Sequence, residues 1–192
     1  MIRNDLIYRL EEHRPFNRHE EGVLERLLAF VRTHSDCFER TLQVGHVTAS
    51  AWVVNEQLTH ALLTHHAKLG MWLQMGGHCD GDPDVLRVAL REVREESGLT
   101  RVEPLLGGAI FDVDAHVIPA RKSEPEHIHY DVRFLIRASM AEPLRVSEES
   151  HDVAWVEFKR VKDLNTDQSV LRLLERTLSL RHNGLSAAVN AH

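Results

Sequence analysis

Apolar positions along the chain change their period after about the first fifth of its length. Leu6, Ile7 and Leu10 recur at helical spacing and predict a helix over Ile2 to His13. Val23, Leu24, Leu27, Leu28 and Val31 predict a second over Glu20 to His34, with Pro15 between them. From Gln43 to Asn55 the β-branched run HVTASAWVV reads as a strand, and Ala61 to Thr64 as the next, the two joined through a turn at Asn55–His60 into a hairpin. Further strands are predicted within Val102–Val113, over Tyr130–Ala138 (YDVRFLIRA) and over Val153–Phe158. Between the first two of these, DAHVIPARKSEPEHIH reads as a long polar loop. Ser169 to Leu180, with Val170, Leu171, Leu174 and Leu178 in helical register, predicts a terminal helix, and residues 183–192 read as a frayed tail.

One further helix is written into the stretch GGHCDGDPDVLRVALREVREESGL. Asp82 is a suitable N-cap, Pro83 suits a first helical position that needs no amide donor, and Gly98 can close the other end, so the helix is expected over Pro83–Ser97. At about 100° per residue, Leu86, Ala89, Leu90 and Val93 share an apolar face. Glu92, Glu95 and Glu96, spaced i, i+3, i+4, form a carboxylate stripe beside it. Like charges at that spacing oppose one another by roughly 0.2–0.5 kcal/mol, and a hard divalent cation such as Mg²⁺, which takes oxygen ligands, relieves the repulsion. A solvated helix laced by Arg91–Glu95 pairs has the same spacing.

Composition narrows the setting. A chain of 192 residues with 43% hydrophobic content can bury a sizeable core. We expect one domain over residues 41–182, a helical extension over 1–40 packed on it, and the tail. The extension's apolar stripes suit core packing or pairing with a second copy as a homodimer. A net charge of −6 with interspersed signs offers no basic surface for polymeric nucleic acid, so any nucleotide partner is expected to be a small molecule. Cys37 and Cys79 form no CxxC pair or disulfide framework, the N-terminus lacks the apolar core of a signal peptide, and no apolar run has membrane-spanning length. A cytoplasmic protein is expected, with no membrane partner. The 14 histidines are an excess that calls for placement.

The helix stretch carries a family resemblance. Gly77, Arg91, Glu92, Val93, Glu95, Glu96, Gly98 and Leu99 fall in place on the signature of Nudix hydrolases, with Pro83 where the signature has its isolated Glu. Trp72-Leu73-Gln74-Met75-Gly76-Gly77 resembles the approach to the Nudix loop, and Trp155 after SEESHDV resembles a recurring feature near the end of such domains. The resemblance covers roughly Gln43–Arg181 and implies an α/β fold, the Nudix α/β/α sandwich with a mixed sheet, here preceded by helices. It implies an enzyme, a Nudix-type pyrophosphohydrolase, in which Glu92, Glu95 and Glu96 hold Mg²⁺ or Mn²⁺, Arg91 orients a carboxylate, and Gly76 and Gly77 border the substrate. A general base is sought among Glu95, Glu96, Glu148 and Glu149. In the family the isolated Glu mainly supports the loop and helix, a task that Asp82 or Asp84 can take over.

The histidines show a second, remoter likeness. Isopentenyl diphosphate isomerases of Nudix-type fold carry a metal site at positions similar to His46, His78, His127 and His129, the last two replacing an acid pair. Imidazoles in that number would favour Zn²⁺ or another transition metal, whereas separate solvated or capping histidines are the plain alternative. His116 and Asp131 are further candidates for such a site. The isomerase reaction is not expected, because Gly76 stands where that family has its catalytic Cys. The reading that follows is a divalent-metal-dependent hydrolase of a nucleoside diphosphate linked to another moiety, or of a related organic pyrophosphate. The alternatives are a catalytically weak Nudix-fold binding or regulatory module, or an enzyme using a His-bound transition metal.

Overall fold

A computed structural model describes residues 3–120, 125–148 and 150–182. The fold is α/β, a mixed sheet with helices, with two helices preceding it. The chain divides into two compact units, one of Met1–Ser50, Gly76–Leu90 and Gly108–Phe134, the other of Ala51–Met75, Arg91–Gly107 and Leu135–His192.

In the first unit, α1 (Asn4–Glu12) and α2 (Arg18–Thr33) bury Leu6, Leu10, Val23, Leu27 and Val31 along their apolar stripes. Asn17 caps α2 by accepting from the Glu20 amide at 3.0 Å. The helices are fastened to strand β6 (Ile110–Ile118) by polar as well as apolar contacts. The fully buried Glu20 accepts from the Val113 amide (3.2 Å) and pairs with His13 Nε2 (2.7 Å), while His13 Nδ1 donates to the Ile110 carbonyl (3.1 Å). Phe30 of α2 stacks on Tyr130 of β7 (His127–Ala138), ring centroids 4.4 Å apart. β6 and β7 are antiparallel, with His116 opposite His129, Asp114 opposite Asp131 and Asp112 opposite Arg133.

Because side chains alternate along a strand, one face of this sheet region is polar. It carries Asp112, Asp114 and His116 from β6, and His127, His129, Asp131 and Arg133 from β7. His46, Thr48 and Ser50 come from the first half of β1 (Gly45–Val54). Of the stretch expected to be a polar loop, 114–129, both ends are strand, 114–118 in β6 and 127–129 in β7. There Asp114, His116, His127 and His129 recur with period two on one sheet face that runs from buried Asp114 to exposed His116, so hydrophilicity masked the alternation. Strand β4 (Met75–His78) pairs with β1. A Cβ at Gly76 would sit 2.3 Å from the Ser50 Cβ, so this approach requires glycine.

In the second unit, β2 (His60–His66) pairs antiparallel with the end of β1 (Val53 opposite Leu62), with β3 (Met71–Leu73) and with β8 (Ser150–Glu157). β5 (Val102–Pro104) pairs with the end of β7, Val102 opposite Ala138. The turn at 55–60 is closed by the Asn55 side chain, which accepts from the amides of Thr59 (2.8 Å) and His60 (2.9 Å). Trp52 is fully buried and donates to Thr177 Oγ1 of the last helix, Gln168–His182, at 2.9 Å.

The signature helix, α3, runs Val85–Ser97. Its cap is Asp84, which accepts from the Arg87 amide at 3.1 Å, and not Asp82 as the sequence suggests. Asp82 instead accepts from the Asp84 amide (2.9 Å) and pairs with both ends of the Arg87 guanidinium (2.9 and 2.5 Å). Pro83 thus lies before the cap, in the irregular segment that leads into the helix. Gly98 ends the helix as expected, with φ of 74° and its amide donating to the Arg94 carbonyl at 2.9 Å.

Candidate functional site

The carboxylate stripe survives in three dimensions as a graded series. Val93 and Ser97 are buried and anchor this part of α3. Arg91 Nη2 holds Glu92 Oε1 at 2.6 Å, with Nε at 3.3 Å, and the Glu92 side chain is only 14% exposed. Glu95 is 62% exposed, with its Oε1 3.9 Å from Arg91 Nε, at the outer limit of an ion pair. Glu96 is half-buried. The Arg91–Glu95 pair of the solvated-helix alternative is present at 3.9 Å, beside the closer contact of Arg91 with Glu92. The result is one fixed carboxylate followed along the helix by a solvated one, a donor set of oxygens only, which suits a hard divalent cation. Glu148 is exposed, and Glu149 lies outside the described residues.

The polar face of the first unit gathers the histidines. The His46 ring lies 5.0 Å from those of His78 and His127 and 4.6 Å from that of His129; His127 and His129 are 5.1 Å apart, and His116 is 5.4 Å from His129. His46 is 2% exposed, and neither of its ring nitrogens has a hydrogen-bond partner of acceptable geometry, although the Leu42 carbonyl is near enough to favour its proton. Burial first, and then the neighbouring imidazoles, lower its pKa to about 4; the same causes in the same order lower that of His129 to about 2. Both rings are therefore neutral near pH 7, with a lone pair to offer.

Further along the same face lies a cluster that sequence reading missed. Arg133 is fully buried and reaches Asp131 (2.7 Å), Asp114 (3.0 Å) and Asp112 (3.3 Å). Asp131 also accepts from Ser50 (2.7 Å) and Thr48 (3.1 Å). Burial opposes the guanidinium charge, but the three carboxylates outweigh it and raise the Arg133 pKa above its ordinary value. Asp131, expected near the histidines, is thus committed to Arg133. The signal for this cluster was present as the period-two strings D-V-D-A-H and H-I-H-Y-D-V-R.

A NUDIX domain model matches residues 44–176. The chain belongs to the Nudix family and is, as a class, a Nudix-type pyrophosphohydrolase. Hydrolases of this family generally use divalent metals such as Mg²⁺ or Mn²⁺. Among solved structures, the binary complex of a C. elegans Ap4A hydrolase is similar at 15% identity and a TM-score of 0.57, over 71% of this chain and 98% of that one. The NUDIX domain of Shewanella oneidensis NrtR, complexed with ADP ribose, is 18% identical with a TM-score of 0.52, over 72% and 88%. A MutT NUDIX hydrolase from Burkholderia pseudomallei is 22% identical with a TM-score of 0.50, over 69% and 97%. At these identities the likeness speaks for the fold. No curated protein matches. Among the described residues, no helix is long and apolar enough to cross a membrane.

Proposed function

We propose that this chain hydrolyses the phosphoric anhydride of a nucleoside diphosphate linked to another moiety, or of a related organic pyrophosphate, with Glu92, Glu95 and Glu96 holding Mg²⁺ or Mn²⁺. The observation that carries the reading is the graded carboxylate stripe of α3, in which Arg91 fixes Glu92 while Glu95 projects to solvent. The donor set fits the group, being carboxylate oxygen throughout, with one member fixed before any ion arrives. When bound, the cation supplies charge neutralisation at the diphosphate and a more acidic water. Arg91 is a positioning residue: its guanidinium fixes the orientation of Glu92 and removes the rotamer freedom that ion binding would otherwise have to freeze. Glu95, solvated and only weakly engaged by Arg91, is free to turn toward substrate and to accept a proton.

The replacement of the signature's isolated Glu by Pro83 is compatible with this activity. The loop-to-helix junction is held by the Asp84 cap and by the two-point Asp82–Arg87 pair. Neither needs a side chain at position 83. The nearby structures include an Ap4A hydrolase and a domain complexed with ADP ribose, so dinucleotides and nucleoside diphosphate sugars belong in the first substrate panel. Purified protein with Mg²⁺ or Mn²⁺ is expected to release nucleoside monophosphate from at least one member of a panel of dinucleotides, nucleotide sugars and deoxynucleoside triphosphates. Tight binding of a panel member without turnover would instead support a binding module.

A further inference from the structure

The histidines on the polar face form a group with a chemistry of its own. Each of His46, His127 and His129 offers one ring nitrogen to a common region, the three atoms lying within 4.8 Å of one another. His46 brings two buried ring nitrogens that lack hydrogen-bond partners, an arrangement that is costly unless something else takes the lone pair. The orientation of His127 is fixed from behind. Its Nδ1 lies 2.9 Å from the Pro125 carbonyl, which can only accept, so Nδ1 carries the proton and Nε2 presents its lone pair. A carbonyl oxygen that sets the tautomer of an imidazole in this way is the usual outer support of a metal-ligating histidine. That Nε2 accepts a hydrogen bond from His129 Nε2 at 3.2 Å, a contact whose proton a bound ion would displace. Two imidazole nitrogens on one tetrahedral ion, each at about 2.05 Å, stand about 3.3 Å apart.

We propose that His46, His127 and His129 bind a single divalent transition-metal ion of the Zn²⁺ class, at a site separate in its ligand chemistry from the carboxylates of α3. Three nitrogen donors select a borderline ion and disfavour Mg²⁺, whose ligands are oxygens. His78, its ring 5.0 Å from both His46 and His129, borders the fourth position, which falls either to it or to an oxygen ligand. Strand geometry supplies the site: His127 and His129 are two apart on β7, and His46 opens β1. The proposal does not depend on the pyrophosphohydrolase reading.

The test uses the full chain, purified without a histidine tag, stripped with chelator and titrated with Zn²⁺ against a chromophoric competitor. One equivalent is expected to bind, and X-ray absorption of the Zn²⁺-loaded protein is expected to show at least three imidazole nitrogens in the first shell. His46→Gln and His127→Gln are expected to weaken Zn²⁺ binding at least tenfold, and Glu95→Gln to leave it unchanged. Circular dichroism in the absence of metal checks that each variant folds; should one fail to fold, the wild-type absorption spectrum decides. An oxygen-dominated shell, substoichiometric zinc, equal affinity in the folded histidine variants, or loss of zinc in Glu95→Gln would overturn the proposal.

Discussion

Arg133 shows how much of this molecule's polar chemistry is settled one residue at a time. Its guanidinium lies among Asp112, Asp114 and Asp131 with almost no solvent contact, so the buried cation and the three carboxylates compensate one another at short range. Replacing a buried ion's partner leaves uncompensated charge rather than a simple gap. Arg133→Met is therefore expected to lower the unfolding free energy by about 3–5 kcal/mol in a denaturant titration. Cys37 presents the opposite case, a titratable group made inert by its surroundings. It is fully buried, and burial pushes its thiol up to about 11, against a smaller opposing effect of Arg3, so the thiol stays protonated through neutral pH. In a Cys79→Ser background, the native protein at pH 8 is expected to react with a disulfide reagent far more slowly than the denatured protein, in which one thiol should titrate at once.

At the scale of elements, α3 is held at both ends by devices that the sequence displays with different clarity. Asp84→Ala removes the acceptor for the Arg87 amide and is expected to cost about 1 kcal/mol, measurable as a lower thermal midpoint, whereas Asp82→Ala should act through the loss of the exposed Arg87 pair and cost less. Gly98 was legible because a positive φ after a helix is a glycine signal. The cap was misplaced by two residues because both aspartates flank the proline, and only backbone geometry decides which of them meets the amide of the helix's first turn. The helices at 4–12 and 18–33 and the strand at 45–54 were readable from periodicity within a few residues. β6 was not, beyond Val113, since period-two polarity is the mark of a strand only when the polar face is known to be buried. The convergence of His46, His127 and His129 was suggested by a remote likeness, but their common face follows from the pairing of β1 with β7, which no local pattern specifies. The short β3 and β4 were hidden for another reason: at three and four residues, they are too brief to show a period.

For the whole molecule, the family and the class of reaction follow from the NUDIX match, while the proposed chemistry rests on the α3 carboxylates working as a set. If Glu92, Glu95 and Glu96 hold the cation and Arg91 positions Glu92, metal demand and turnover should respond separately to substitution. Arg91→Ala is expected to raise the Mg²⁺ concentration giving half-maximal activity by about 10–100-fold, because the remaining carboxylate must be ordered by the ion itself. Steady-state hydrolysis of the best panel substrate across a Mg²⁺ titration, in the wild type, Arg91→Ala and Glu95→Gln, each checked for an unchanged thermal midpoint, tests the account most directly. The expected result is Mg²⁺-dependent turnover in the wild type, a shifted Mg²⁺ requirement in Arg91→Ala, and a loss of more than about 100-fold in Glu95→Gln. Turnover that persists in Glu95→Gln with the wild-type Mg²⁺ dependence would contradict the account.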